Sequence, residues 1–384
     1  MVRNDMKKIM ICAAAAAMLG AVSCGPQYEE PQSGSSTAFA LSFFKEVNRN
    51  TPSDQNVLTS PYSAGVLLSM LAEGAEGQTR EEFDQVLGGS LYKAEDLGSN
   101  DTLTVNSANS IWVSDNFSVR NRYVSLLEKD FDAFITTQNF ADPATVRAIN
   151  NWCAEHTSDK ILEIIDEISP NDVMILINAL YFNAPWQDKF NPENTEDAVF
   201  HGKSGNVTVP MMFRRGRYNY IGYQGCKLIE IPYAAGGYSM YILLPPPGMS
   251  PDDVIPHITE YALNSAIKLM APKEVVLRMP KFTLETEMLL NEPLQKMGLE
   301  SAFSAAANFK GISAMGPLSL SVVKQKCYID VSERGTEAAA VTSAQVRMTA
   351  VRPSEEFTVD RPFIYIIASE EGKDILFAGK TVNL

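Results

Sequence analysis

The segment from residue 333 to residue 353 limits what this 384-residue chain can fold into. It reads Glu-Arg-Gly-Thr-Glu-Ala-Ala-Ala-Val-Thr-Ser-Ala-Gln-Val-Arg-Met-Thr-Ala-Val-Arg-Pro. Strand patterns flank it. Residues 318–331 alternate Leu, Val, Tyr and Ile against polar residues, and residues 363–368 and 375–378 are apolar runs joined by a polar turn. A connection this long between strands is uncommon in a compact domain and is usually functional or disordered. Gly335 supplies a pivot with free backbone angles. Thr336, Ala338, Ala340 and Thr342 follow at alternate positions, small enough to line the inner face of a sheet, while Glu337, Ala339, Val341 and Ser343 point the other way. The segment has the pattern of a strand without a sheet. The plain alternative is an Ala/Thr-rich linker.

Much of the remaining chain alternates helix and strand signals. Residues 37–47 carry helical apolar spacing, and residues 56–59 read as a short strand. Ser60 then caps a helix with Pro61 in its first position, where a missing N–H costs nothing. That helix, 62–72, is apolar nearly all round and must be central. Thr79-Arg80-Glu81-Glu82 has the form of a capping box. Strands are expected at 104–113, 134–140 and 173–182, and helices at 123–131 and 144–168. From residue 207 strand and turn signals become dense: 207–213, 218–223, 228–232, 238–244 and 275–282.

Composition and charge narrow the function classes. The chain is 45% apolar and 20% charged, as globular proteins are. A net charge of −14, with no run of basic residues, argues against nucleic acid and against an electrostatic hold on anionic membranes. His156, His201 and His257 stand alone, and there is no HExxH pair or Gly-x-Ser-x-Gly elbow. Ser321-Val322-Val323-Lys324 matches Ser-x-x-Lys but lies in a strand pattern with no following Lys-Thr-Gly. The chain does not read as an enzyme, and no metal or other cofactor is implied. Cys153, Cys226 and Cys327 are odd in number and lack metal-like spacing, so buried free thiols are expected.

The first residues read as targeting rather than fold. A basic start at Lys7-Lys8 precedes an apolar run, 9–22, too short to span a bilayer comfortably. Ala21-Val22-Ser23-Cys24 resembles a bacterial lipobox. The expected division is a lipoprotein-type signal over 1–23, a flexible tether over 24–36 and one domain over 37–384. Lipidation at Cys24 would anchor the protein to a membrane of the cell envelope, facing the periplasm or the exterior. A plain secretory signal is the alternative.

Glu333–Ala340, Glu-Arg-Gly-Thr-Glu-Ala-Ala-Ala, resembles the hinge of the reactive-centre loop of an inhibitory serpin. Similar phrases recur along the chain. They include residues 56–87 around Ser60, Pro61 and Ser63, and Asn178-Ala179-Leu180-Tyr181-Phe182 followed by Trp186 and Phe190. Further on come Val209-Pro210-Met211-Met212, Ile231-Pro232-Tyr233, Met279-Pro280-Lys281-Phe282 and Phe377-Ala378-Gly379-Lys380. The resemblance covers about residues 37–384 without a gap. It implies an α+β fold of three β-sheets with eight or nine helices and an exposed reactive-centre loop.

The resemblance also implies a function. A serine or papain-like cysteine protease would attack the loop as bait and form an acyl-enzyme. The freed loop would then insert into the main sheet as a new strand and trap the protease. The hinge would comprise Glu333, Gly335, Thr336, Glu337, Ala338, Ala339 and Ala340, and the sheet-opening region Ser60, Ser63, Asn178, Trp186 and Gln325. Seventeen residues counted from Glu333 end at Thr349, so the reactive bond is Thr349–Ala350, with Arg347, Met348 and Arg352 as neighbouring alternatives. Gln325 stands where many members have a histidine bonded to the asparagine matched by Asn178; the bond is expected to persist without its pH response. Thr336 is expected to be unconstrained until insertion, so Thr336→Arg would spare folding and convert the inhibitor to a substrate. A monomer is expected. The alternative is a non-inhibitory serpin acting as a surface binding or chaperone-like module, although the small hinge residues disfavour it.

Overall fold

The structure, a computed structural model, describes residues 35–89, 91–92, 104–223, 225–234, 237–315, 318–336, 354–369 and 374–384. Cys24, with the expected leader and most of the expected tether, lies outside the described residues. So do Glu337, Ala338, Ala339 and Ala340 of the hinge, and Arg347, Met348, Thr349, Ala350 and Arg352 of the bait.

The first helix, Ser36–Arg49, is capped by the Ser35 hydroxyl, which accepts from the Ala38 N–H. The central helix, Pro61–Gly74, starts as its sequence requires. Ser60 is its cap, accepting from the Ser63 N–H, and Pro61 opens the first turn. Every residue of that helix except Glu73 is buried, because it lies between the two sheet systems and touches strands of both.

The six-stranded sheet is ordered Phe282–Leu289, Val322–Ser332, Gly335–Thr336, Met174–Pro185, Thr104–Ser114 and Phe134–Gln138. The other strands form a nine-stranded assembly. Its path runs Val57–Thr59, Ile375–Thr381, Phe363–Ser369, Tyr238–Leu244, Cys226–Pro232, Gly205–Tyr223, Ala271–Pro280 and Glu355–Thr358, with Glu196–Gly202 off the path beside Gly205–Tyr223. The second and third expected sheets are the two halves of this assembly. They are continuous because one long strand, Gly205–Tyr223, pairs with Ala271–Pro280 over ten residues and with Cys226–Pro232 at its end. Strands expected separately at 207–213 and 218–223 are therefore one, the ladder carrying the chain straight through Arg214-Arg215-Gly216-Arg217. The described residues form eight α-helices, the central one between the sheets.

Two local expectations are corrected. The helix expected over 144–168 ends at His156. Ser158 and Asp159 adopt left-handed backbone angles, and residues 157–165 continue as an irregular strap. The spacing of Ile161, Ile164 and Ile165 mimics a helix, but those side chains join Ile175, Ile177 and Ala179 in an apolar cluster on the outer face of the sheet. The capping box at Thr79 is likewise absent. The helix begins two residues earlier, at Gly77, whose φ of +57° makes the turn. Thr79 instead bonds Ser301, and the Glu82 carboxylate accepts from the Ser301 N–H and hydroxyl. Polar groups that suit a cap serve a tertiary contact.

Candidate functional site

The site is the top of the six-stranded sheet, where two parallel strands part. Val322–Ser332 and Met174–Pro185 pair in parallel from Val322/Ile175 to Tyr328/Tyr181. Beyond that point they separate, and the chain turns at Glu333-Arg334 and comes back between them. Gly335 pairs with Ser332 on one side and Pro185 on the other; Thr336 pairs with Val331 and Ala184. Both new pairings are antiparallel. A two-residue wedge thus occupies the mouth of the seam between the strands.

Each part of the wedge is fixed by a separate group. The three carbonyls of the turn are all taken: Ser332 O by the Trp186 indole N–H, Glu333 O by the Phe190 N–H and Arg334 O by the Trp186 N–H, each at 2.9 Å. Gly335 has φ +150°, a conformation side chains rarely tolerate, and a Cβ there would lie 2.5 Å from Pro185 Cα and closer still to Ala184 O. Thr336 is fully buried and shares a 2.7 Å hydrogen bond with the Tyr233 hydroxyl. Tyr233 stacks on Trp186, with ring centroids 4.6 Å apart. Burial pushes the Tyr233 hydroxyl far above its usual range, so it stays protonated.

Glu333 locks the base of the turn. Its carboxylate is 3.0 Å from Lys281 Nζ and accepts a 2.9 Å bond from the Thr195 hydroxyl. Burial opposes its ionisation, but hydrogen bonds from its own backbone N–H, Lys281 and Thr195, with the Lys281 charge, outweigh that. The carboxyl is held below its ordinary pKa.

Lower in the seam a buried amide pair ties both strands to the central helix. Gln325 Nε2 donates to Asn178 Oδ1 at 2.7 Å and to Ser60 O at 2.9 Å, and Gln325 Oε1 accepts from Ser60 N and the Thr59 hydroxyl. Asn178 Nδ2 donates to Ser63 Oγ and to Asn109 Oδ1. Gln325 and Asn178 are opposite one another in the parallel register, both fully buried. Every donor and acceptor of Gln325 is used, and none of these groups titrates in the physiological range. The hydrogen bond expected between the two amides is present.

The seam, the buried Gly335–Thr336 wedge and the fold carry a family resemblance into the whole chain. Residues 34–384 match the family described as Serpin (serine protease inhibitor). The chain belongs to the serpin family. A serpin-like protein of Thermococcus kodakarensis is 32% identical over 372 residues, covering 92% of this chain and 86% of the relative. The leukocyte elastase inhibitor of Sus scrofa is 30% identical, covering 91% and 99%. The thermophilic serpin tengpin in its native state superposes with a TM-score of 0.85 at 29% identity, covering 94% of this chain and 96% of that one. Most serpins are protease inhibitors and generally not catalysts.

Of the residues singled out from the sequence, this serpin brings Glu333, Gly335, Thr336 and Trp186 together at the wedge, and Ser60, Ser63, Asn178 and Gln325 together in the seam. Thr336 corrects an expectation. It is not unconstrained in this structure, because the register of the wedge turns it inward onto Tyr233. Tyr233, Lys281, Thr195 and Asn109 belong to the site without having been selected. Tyr233 and Lys281 lie within the phrases Ile231-Pro232-Tyr233 and Met279-Pro280-Lys281-Phe282, but nothing local shows that they meet a residue more than fifty positions away. The expected free thiols are present: Cys153, Cys226 and Cys327 are buried and unpaired. Burial pushes Cys153 to about 12 and Cys226 to about 11, which leaves them unreactive.

Proposed function

We propose that this serpin inhibits endopeptidases of the serine class, and papain-like cysteine endopeptidases, by trapping the acyl-enzyme. The protease nucleophile attacks the carbonyl carbon of Thr349, the Thr349–Ala350 bond breaks, and the Ala350 amine leaves with a proton. The acylated bait then continues the strand that the wedge begins. One observation carries this reading: Gly335 and Thr336 are already paired on both sides, between two strands that below them pair directly with each other.

The register predicts the inserted state. Each step along the bait moves one residue back along both neighbours, so Thr342, six past Thr336, falls between Gln325, six before Val331, and Asn178, six before Ala184. A small hydroxyl would replace the amide–amide bond that closes the seam. Ala338 falls between Ile329 and Phe182, both buried in the present sheet. Insertion from residue 337 to residue 349 carries the protease some ~43 Å at about 3.3 Å per residue. About a dozen new ladder bonds at ~0.5–1.5 kcal/mol each supply on the order of 10 kcal/mol.

The test is incubation with a panel of serine and cysteine proteases. A covalent band stable in sodium dodecyl sulfate, with Thr349 as the acyl residue by mass spectrometry, is expected. Cleavage with full release of active protease would sink the proposal, and an acyl link at Arg347 or Arg352 would move the reactive bond. The same reading anchors the protein, as a monomer, to the cell envelope through a lipid on Cys24. A Cys24→Ser protein should leave the membrane fraction; an unchanged distribution refutes the anchor.

A further inference from the structure

The strand Gly205–Tyr223 carries a surface that neither the wedge nor the seam uses. Its stretch Arg214-Arg215-Gly216-Arg217 is held straight by the ten-residue ladder to Ala271–Pro280. Alternation along the strand sends the three arginines two ways. Arg214 turns to one face, where it pairs with Asp188 at 3.0 Å and donates to the Tyr218 hydroxyl at 2.9 Å. Arg215 and Arg217 point to the other face and are exposed. Arg217 has no ion pair among the described residues, and Arg215 lies 4.0 Å from Glu274, at the limit of one.

The register sets this face beside the chain that leaves the bait. Arg215 stands opposite Val276, and Val276 opposite Glu356; Phe213 stands opposite Arg278, and Arg278 opposite Thr358. Arg278 lies over the Phe213 ring, 5.2 Å from its centroid, and pairs with Glu356 at 3.0 Å. The two carboxylates on the face, Glu274 and Glu356, are thus each matched to an arginine, and Arg217 is the cation in excess. At a strand spacing of about 4.8 Å, Arg215 is some ~10 Å from Glu356 across the sheet. The path from Glu356 back to Thr349 is at most ~25 Å. A protease of about 230 residues spans roughly 45 Å, wide enough to reach the arginines while its cleft holds the bait. Charge separates this region from the rest of the molecule. The strands Gly205–Tyr223, Ala271–Pro280 and Glu355–Thr358 carry five basic residues and three acidic ones, in a chain with a net charge of −14.

We propose that Arg215 and Arg217 form a docking patch for the target protease, separate from the bait, and that this partner carries an acidic rim beside its active-site cleft. The proposal rests on the protease trapping described above. A protein of this net charge repels an acidic protease at long range, and the patch reverses that field where the two molecules meet. The patch acts on encounter, before acylation. It therefore selects among proteases whose clefts accept the same bait, by association rate rather than by the fate of the acyl-enzyme.

The assay is the second-order rate of inhibition by the full chain, read from residual protease activity. The probe is the panel endopeptidase that forms the covalent complex fastest, used native and with its lysines succinylated, so that one cleft is presented in two surface charges. Arg215→Gln with Arg217→Gln should slow inhibition of the succinylated enzyme on the order of tenfold at low ionic strength, and of the native enzyme by less. The gap should close near 1 M salt, where the Debye length is about 3 Å. Arg215→Lys with Arg217→Lys keeps the charge and should keep the rate. Arg122→Gln with Arg147→Gln removes the same charge from two helices that pack on the Phe134–Gln138 edge of the six-stranded sheet, and should slow the reaction by less than about twofold. The melting temperature of the first variant should equal the parent's, since both side chains are exposed. Equal rates for parent and first variant on the succinylated enzyme, with the covalent complex still formed, overturn the patch alone. So does a slowing that the distant pair reproduces. Failure of every panel protease to form a complex overturns the trapping, and the patch falls with it.

Discussion

Replacing Gly335 by alanine tests whether the wedge sits where the ladder puts it. The new Cβ would lie 2.5 Å from Pro185 Cα and closer to Ala184 O, both backbone atoms of a buried strand that cannot swing aside. The φ of +150° adds strain that only glycine escapes cheaply. The easiest relief is to push residues 335 and 336 out of the sheet. That forfeits their ladder bonds on both sides and the Tyr233–Thr336 bond, about 3–5 kcal/mol at roughly 1 kcal/mol per bond. For a chain longer than 250 residues, about 1–2 °C per kcal/mol is expected, so the melting temperature should fall by ~5 °C. The clash persists in any inserted form, since the first residue of the new strand is the same glycine. Insertion should therefore slow, and the stoichiometry of inhibition against the fastest-reacting protease should rise severalfold. Differential scanning calorimetry and titration of residual protease activity measure the two effects. An unchanged melting temperature with unchanged stoichiometry would refute the wedge.

Thr336→Arg should now lower the stability of the native state as well as block insertion, because it presses a charge beside Tyr233 at a cost of several kcal/mol; a melting temperature equal to the parent's would contradict the buried position. Glu333 has a depressed folded-state pKa, so its contribution is present above the ordinary carboxylate range and lost as pH falls through the lowered value. Hinge cleavage by an acid-active protease should therefore increase with acidification below the ordinary carboxylate range, and Lys281→Met should shift that onset to higher pH. Gln325→Leu leaves Asn178 Oδ1, Ser60 N and the Thr59 hydroxyl without their buried partner, at about 1–3 kcal/mol for each group left unpaired; chemical denaturation should show a loss of at least ~2 kcal/mol, and an unaffected midpoint would show that the amide pair does not hold the seam closed.

The local rules were enough for the pieces whose cause is local. Ser60-Pro61 starts the central helix because a cap and a first-turn proline act within four residues, and the all-apolar run after it admits no exposed position. The small alternate residues of the hinge show from composition alone that the segment suits a sheet interior. Family phrases spread over the chain located Asn178, Gln325 and Trp186. What the sequence alone does not carry is how far the strand has already formed. Thr336 reads as a loop residue because its partners, Val331, Ala184 and the Tyr233 hydroxyl, are brought to it by the parting of two parallel strands. The same limit hid the strap. Isoleucines spaced at three and four signal a helix, yet left-handed angles at Ser158 and Asp159 turn them onto the sheet, and only the tertiary fold puts the Glu163 and Ile164 carbonyls within reach of Lys326 and Lys324. Periodicity reports which face of an element is apolar; what that face meets is decided by the path of the chain beyond the element, on which a local pattern has no purchase.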